Sequence, residues 1–182
     1  LVIPREGIHF TADFSNPNGK ITLYVAHNCA NDGTEWVQET DVHPFTNKPL
    51  SDSLYGFIPE GNDLCFLGKH IIDAETAEVE KSELLSDMEH TWSLAFHSLK
   101  SNYVPDVIKD IYFTSFGFNH ENMIKRVFDV YKDYPHRTIP TDDLNGLVVS
   151  PKLMRVDTEN LKIVDAYDLS ADRFISSQQY MP

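Results

Sequence analysis

Three stretches of this chain set two apolar runs on either side of a short polar reversal, and that pattern constrains the fold most. In the first, Ile8 to Phe14 passes through Ser15-Asn16-Pro17-Asn18-Gly19 into Lys20 to Val25. Pro17 fixes its own φ, while Asn18 and Gly19 tolerate positive φ, as a tight reversal between antiparallel strands requires. The second runs from Leu64 to Ile72, turns at Asp73-Ala74-Glu75-Thr76, and continues through Ala77 to Glu80. The third runs from Leu153 to Val156, turns at Asp157-Thr158-Glu159-Asn160, and continues through Leu161 to Val164. An Asp that opens a turn can accept a backbone N–H two residues on, so both Asp-led turns read as hairpins. A helix from Asp73 through Met88 is the rival reading of the second. Its apolar stripe is thin, because Glu80 and Lys81 occupy the turn between Ala77 and Leu84.

Further strands are expected at Thr34 to Glu39, Ser53 to Ile58, Thr91 to Leu99, Ile108 to Phe116 and Leu147 to Val149. Alternation from Thr91 puts Trp92, Leu94 and Phe96 on one face and Ser93, Ala95 and His97 on the other. Ile111 to Phe116 is apolar on both faces and reads as an internal strand; the rival use for one such face is a dimer contact. One amphipathic helix is expected near 119–134. Asn119 would cap it, Met123, Ile124, Val127, Phe128, Val130 and Tyr131 would form its apolar face, and Tyr134 before Pro135 would end it. Many short strands and one helix predict a mainly β chain, an antiparallel sandwich or barrel. At 182 residues a single domain over 1–175 is expected, with 176–182 as a polar tail or linker stub. The opening Leu1-Val2-Ile3 lacks a Met, so the chain reads as a piece excised from a larger polypeptide.

Charge narrows the partners. The formal net charge of −13 disfavours nucleic acid and anionic membrane surfaces, and no run of about 20 apolar residues announces a membrane span. Eight histidines would gain positive charge near pH 5 and ease repulsion among the acids, so self-association is expected to strengthen on acidification. Cys29 and Cys65 are either one disulfide or, the simpler reading, two buried thiols.

Chemistry is less visible. No Gly-x-Ser-x-Gly turn and no phosphate-binding glycine loop occurs. His120-Glu121 begins like a zinc helix, but Ile124 stands where the second His belongs, and Asn28 to Gly33 resembles a calcium loop only in outline. His27 and Cys29, sharing a strand face, would join a soft metal site only with ligands such as Cys65 and His70. No metal and no cofactor is therefore expected. Exposed aromatics for ligand stacking would come from Tyr24, Trp36, Tyr55 and Tyr103.

Two function classes follow. The first is a non-enzymatic β-rich recognition or surface domain, such as a protruding capsid or attachment domain. It would sit outside cells or on a virion, bind a protein or glycan receptor, and form a homodimer. Its contact residues would lie on the loops: Asn28, Asn31 and Asp32; His43 and Asn47; His136, Arg137, Asp142 and Asp143. The alternative is a small His-dependent hydrolase or lyase with His97, His27 or His43 as base.

Overall fold

The computed structural model describes residues 2–3, 5–100, 103–170, 173, 175 and 178–181, apart from the side chain of Phe96. Ten strands and one α-helix are present among them: β1 His9–Ala12, β2 Lys20–His27, β3 Phe66–Asp73, β4 Val79–Leu85, β5 Leu94–Leu99, β6 Asp110–Ser115, β7 Phe118–Asn119, α1 Lys125–Tyr131, β8 Val148–Val149, β9 Lys152–Asp157 and β10 Lys162–Asp168. Two open, antiparallel four-stranded sheets carry the architecture, in the orders β1-β2-β3-β4 and β10-β9-β6-β5, and β7 pairs with β8 apart from them. The chain is mainly β; its sheets face one another and do not close into a barrel.

All three expected hairpins form, for the expected reasons. Asn18 and Gly19 take φ of 58° and 68°. The Asp73 carboxylate accepts the N–H groups of Glu75 and Thr76 at 2.9 and 2.8 Å, and no helix spans 73–88. The Asp157 carboxylate accepts the N–H of Asn160, three residues on, at 3.1 Å. In both Asp-led hairpins the chain leaves the turn through a residue with positive φ, Ala77 and Leu161. Lys20 then bridges Asp73 and Glu80, tying the first hairpin to the second.

Side chains from both sheets meet in one cluster. Tyr24, Ala26 and Leu67 come from the first sheet, and Leu94, Ile111, Phe113, Met154 and Val156 from the second. β6 is internal, between β9 and β5. The Lys69 ammonium reaches from β3 to the carbonyl of Thr158 in the β9–β10 turn at 2.7 Å. Beyond the sandwich, the long connections build two further clusters, one around Trp92, Phe118 and Met123, the other around Val37, Leu50, Ile124 and Val127.

Those clusters explain where the structure departs from the sequence expectations. The helix is Lys125–Tyr131, well short of 119–134. Asn119 does cap, but it caps a 3-10 turn at His120–Asn122 through the N–H of Glu121. Met123 and Ile124 then run extended, because each is drawn into a different cluster. Burial of two large side chains in separate places outweighs the regular spacing that suggested one long helix. Thr34 to Glu39 and Ser53 to Ile58 are not strands. They exchange one pair of backbone bonds, Val37 N–H to Phe57 O and Gly56 N–H to Val37 O, both 2.9 Å. Ser51 caps a short 3-10 turn at Asp52–Leu54 instead. β5 begins at Leu94 rather than Thr91, because Ser93 has φ of 45° and Trp92 turns away into the second cluster. Cys29 and Cys65 are free and buried. Of the expected polar tail, residues 176, 177 and 182 lie outside the described residues, while the Gln178 amide donates to the carbonyl of Tyr112 at 2.8 Å.

Candidate functional site

The β1–β2 reversal and the segment entering β6 are joined by three hydrogen bonds. Phe14 N–H reaches Pro105 O at 3.2 Å, Ser15 N–H reaches Asp106 O at 3.0 Å, and Ile108 N–H reaches the Asp13 carboxylate at 2.8 Å. Between these tied segments lies an open groove of about 650 Å³, lined by Phe14, Tyr103, Val104, Pro105 and Asp106. Phe14 and Tyr103 are 74% and 77% exposed. Two large, mostly exposed rings at one place, with a carboxylate beside them, form a surface suited to contact rather than to core packing. Of the aromatics expected to stack on ligands, Tyr103 lines this groove and Trp36 is exposed elsewhere. Tyr24 is buried in the sandwich core and Tyr55 packs on the third cluster. Phe14 was legible only as a strand end.

The loop residues expected to make contacts divide in two. Asn47, His136, Asp142 and Asp143 are exposed. Asn28 and His43 are buried, and the Asn28 amide nitrogen donates to Leu94 O at 2.8 Å. Arg137 is half-buried and ties three carbonyls, those of Asn62, Tyr131 and Ile139. Asn31 accepts from the Tyr131 hydroxyl, and Asp32 takes the N–H and hydroxyl of Thr34 in a local turn. Tyr131 of α1 thus ties Asn31 and Arg137 to the helix. Arg126 on that helix grips the buried Asp41 carboxylate in a fork, at 2.7 and 3.1 Å, and also reaches Glu35.

Six of the eight histidines occur as three ring pairs, which no spacing in the sequence suggested. His43 packs edge-on against His120 with both its nitrogens engaged by backbone. Nε2 donates to His120 O at 3.2 Å, and Nδ1 accepts from the N–H groups of Phe45 and Thr46. A ring so held has no lone pair left for a substrate proton. His97 lies against Phe113 and faces His9 across the open edge between the sheets. Burial first, and His9 second, pull its pKa below the usual histidine value.

The third pair is different. His27 on β2 and His70 on β3 are both buried, and their Nε2 atoms lie 3.1 Å apart. His27 Nδ1 is 3.2 Å from the carbonyl of Glu6, and His70 Nδ1 is 2.9 Å from the Ser82 hydroxyl on β4. A carbonyl can only accept, so His27 carries its proton on Nδ1 and accepts at Nε2. His70 must then donate from Nε2 and accept at Nδ1, from Ser82. The hydrogen bonds thus run in one direction, from the Ser82 hydroxyl through both rings to Glu6 O. Burial depresses the pKa of both rings; His27 lowers that of His70 further, and the Arg5 guanidinium does the same to His27. Of the four soft ligands considered, His27 and His70 do meet. Among the described residues, however, no group of three or more His, Cys, Asp or Glu converges on a metal position.

A partly buried acid, Glu60, carries no signal in the sequence. The Glu60 carboxylate accepts from Asn119 N–H and the Asn122 amide, both at 3.3 Å, and burial pushes its pKa up to about 7. Among the described residues, no helix is long and apolar enough to cross a membrane. Comparison with family models, curated proteins and solved structures finds no match.

Proposed function

We propose that this chain is a β-sandwich recognition domain that binds a protein partner through the Phe14–Tyr103 groove. The observation that carries the reading is the pair of exposed rings on walls tied together by backbone hydrogen bonds. Aromatic anchors on a fixed scaffold are what protein contacts use for most of their binding energy. Asp106 at the groove and a net charge of −13 favour a partner segment that carries an apolar side chain next to Lys or Arg. The wider setting we propose, a surface domain such as a capsid spike or attachment domain, is supported only by the class of fold.

Selection of random peptides displayed on phage tests the reading. Wild-type protein should enrich sequences that place an aromatic or aliphatic residue beside a basic one, and Phe14→Ser with Tyr103→Ser should abolish their capture. Enrichment that survives the double substitution overturns the groove. Capture of defined glycans on an array, with no peptide enriched, overturns the protein partner.

A further inference from the structure

The directed hydrogen-bond chain through His70 and His27 lies away from the groove and does nothing for recognition. Its outer end is a Ser on the edge strand β4, in a residue open to solvent. The register places Ser82 opposite His70, and His27, two residues beyond Val25 on β2, reaches over Gly68 to the same ring. Alternation puts Ser82, Leu84, Gly68, His70 and His27 on one face of the sheet, the face turned away from the sandwich core. This arrangement has the parts a nucleophilic hydroxyl needs: a base within hydrogen-bond reach, and a third group that fixes the tautomer of that base.

We propose that Ser82 is the nucleophile of an acyl-transfer site for activated esters, with His70 as general base and His27 as the residue that orients it. Ser82 Oγ forms a bond to the ester carbonyl carbon as its proton passes to His70 Nδ1, and the carbonyl electrons move onto oxygen. Collapse breaks the bond to the leaving oxygen or sulfur, which takes that proton from Nδ1 and departs. Water then repeats the sequence on acyl-Ser82, with the same nitrogen as base, and releases the carboxylic acid. His27 is neutral, so it holds the imidazolium of His70 by one hydrogen bond and not by a carboxylate's charge. The base is consequently weak, and the substrates are esters with good leaving groups, aryl esters and thioesters, rather than amides. Exposed Leu84 is the neighbour of Ser82 on that face and suits a short apolar acyl group. Among the described residues β4 is the edge strand of its sheet, so donors to the oxyanion would come from its backbone N–H groups that point away from β3.

The test uses the intact chain with 4-nitrophenyl acetate and an acetyl thioester. Peptide mass spectrometry should find one acetyl group, on Ser82, in native protein but not in protein unfolded in urea. Ser82→Ala, a change at an exposed position, should slow nitrophenol release by roughly 100-fold or more, with the circular dichroism spectrum unchanged. His70→Gln should do the same. His27→Gln, acting through position, should move the pH midpoint of acylation, which a merely structural role would leave in place. Acetyl groups found on lysine or histidine with Ser82 unmodified would overturn the proposal. So would wild-type release rates in Ser82→Ala; because that variant removes only an exposed hydroxyl, the result stands even if His70→Gln fails to fold.

Discussion

His27 and His70 meet edge to face, with ring planes at 90° and centroids 5.3 Å apart, over a position where the chain has no side chain. That position is Gly68. A Cβ built there would come within 2.4 Å of His70 Nε2 and 2.6 Å of His27 Nε2. The glycine leaves the volume that the two rings fill.

Gly68→Ala should therefore separate the rings and destabilise the first sheet. Overpacking of a filled site costs about 1–3 kcal/mol, and urea unfolding monitored by tryptophan fluorescence would show it as a lower midpoint. An unchanged midpoint would mean that the rings relax without cost.

Acid should weaken the fold through the histidines. His27, His70 and His97 all have folded pKa values below 6.5, with burial the leading cause in each. Between those values and 6.5 the unfolded chain binds more protons, so stability is complete above 6.5 and is lost as pH falls through the folded values. With Glu60 replaced by Gln, which removes a carboxyl that titrates in the same window with the opposite sign, urea midpoints from pH 7 to pH 5 should fall, and a flat profile in that variant contradicts the assignment.

Glu60 acts in the opposite sense. Its pKa rises from 4.5 to about 7 on folding, so its stabilising contribution is complete below 4.5 and is lost as pH rises through 7. Glu60→Gln should raise stability at pH 8 by at most about 3.5 kcal/mol, the rise from 4.5 to about 7 taken at about 1.4 kcal/mol per pH unit, and leave it nearly unchanged at pH 4.5. The same substitution should steepen the acid limb, since Glu60 no longer opposes the histidines there.

Arg126→Ala should be costly, although the guanidinium itself is half-exposed. It strips the buried Asp41 carboxylate of both fork hydrogen bonds and, among the described residues, leaves it the Gln38 N–H at 2.8 Å. Breaking such a pair from one side costs about 3–5 kcal/mol when both partners are buried, and about 2–3 kcal/mol is expected here. Asp41→Asn in the same background should recover part of the loss, because no unpaired charge then remains.

Self-association on acidification remains a proposal, with a smaller driving force than the count of histidines implies. Three of the eight are held neutral below their ordinary range, so less of the −13 charge is relieved at pH 5.5. Sedimentation at pH 5.5 and 7.5 should still show a greater mean mass at the lower pH; equal masses sink the idea.

The turns were legible because their chemistry is local. Asn-Pro-Asn-Gly and the two Asp-led reversals specify backbone conformations by themselves, and the hairpins followed. The relay was not, for a definite reason. β4 was expected to end near Glu80, since Glu80-Lys81-Ser82-Glu83 is charged and poor in strand-forming residues. That composition suits an edge strand, whose charges discourage pairing with another chain, yet it hides the residue that lies opposite His70. The groove was hidden differently. Phe14 and Tyr103 stand far apart in the chain, and only the assembly of β1 with the approach to β6 brings them together. The shortened helix shows the reverse limit: Met123 and Ile124 had the right spacing, but two separate cores competed for them.

The bonds from Asp13, Phe14 and Ser15 to the 105–108 segment fix both groove walls through the main chain. Their relative position is set when the sheets assemble, before any partner arrives. A segment that docked there would meet main chain already tied at 13–15 and 105–108, so little backbone ordering on this side would oppose its binding. Affinity should accordingly respond to the side chains of the incoming segment and to its own rigidity, and hardly at all to loop substitutions elsewhere on this domain.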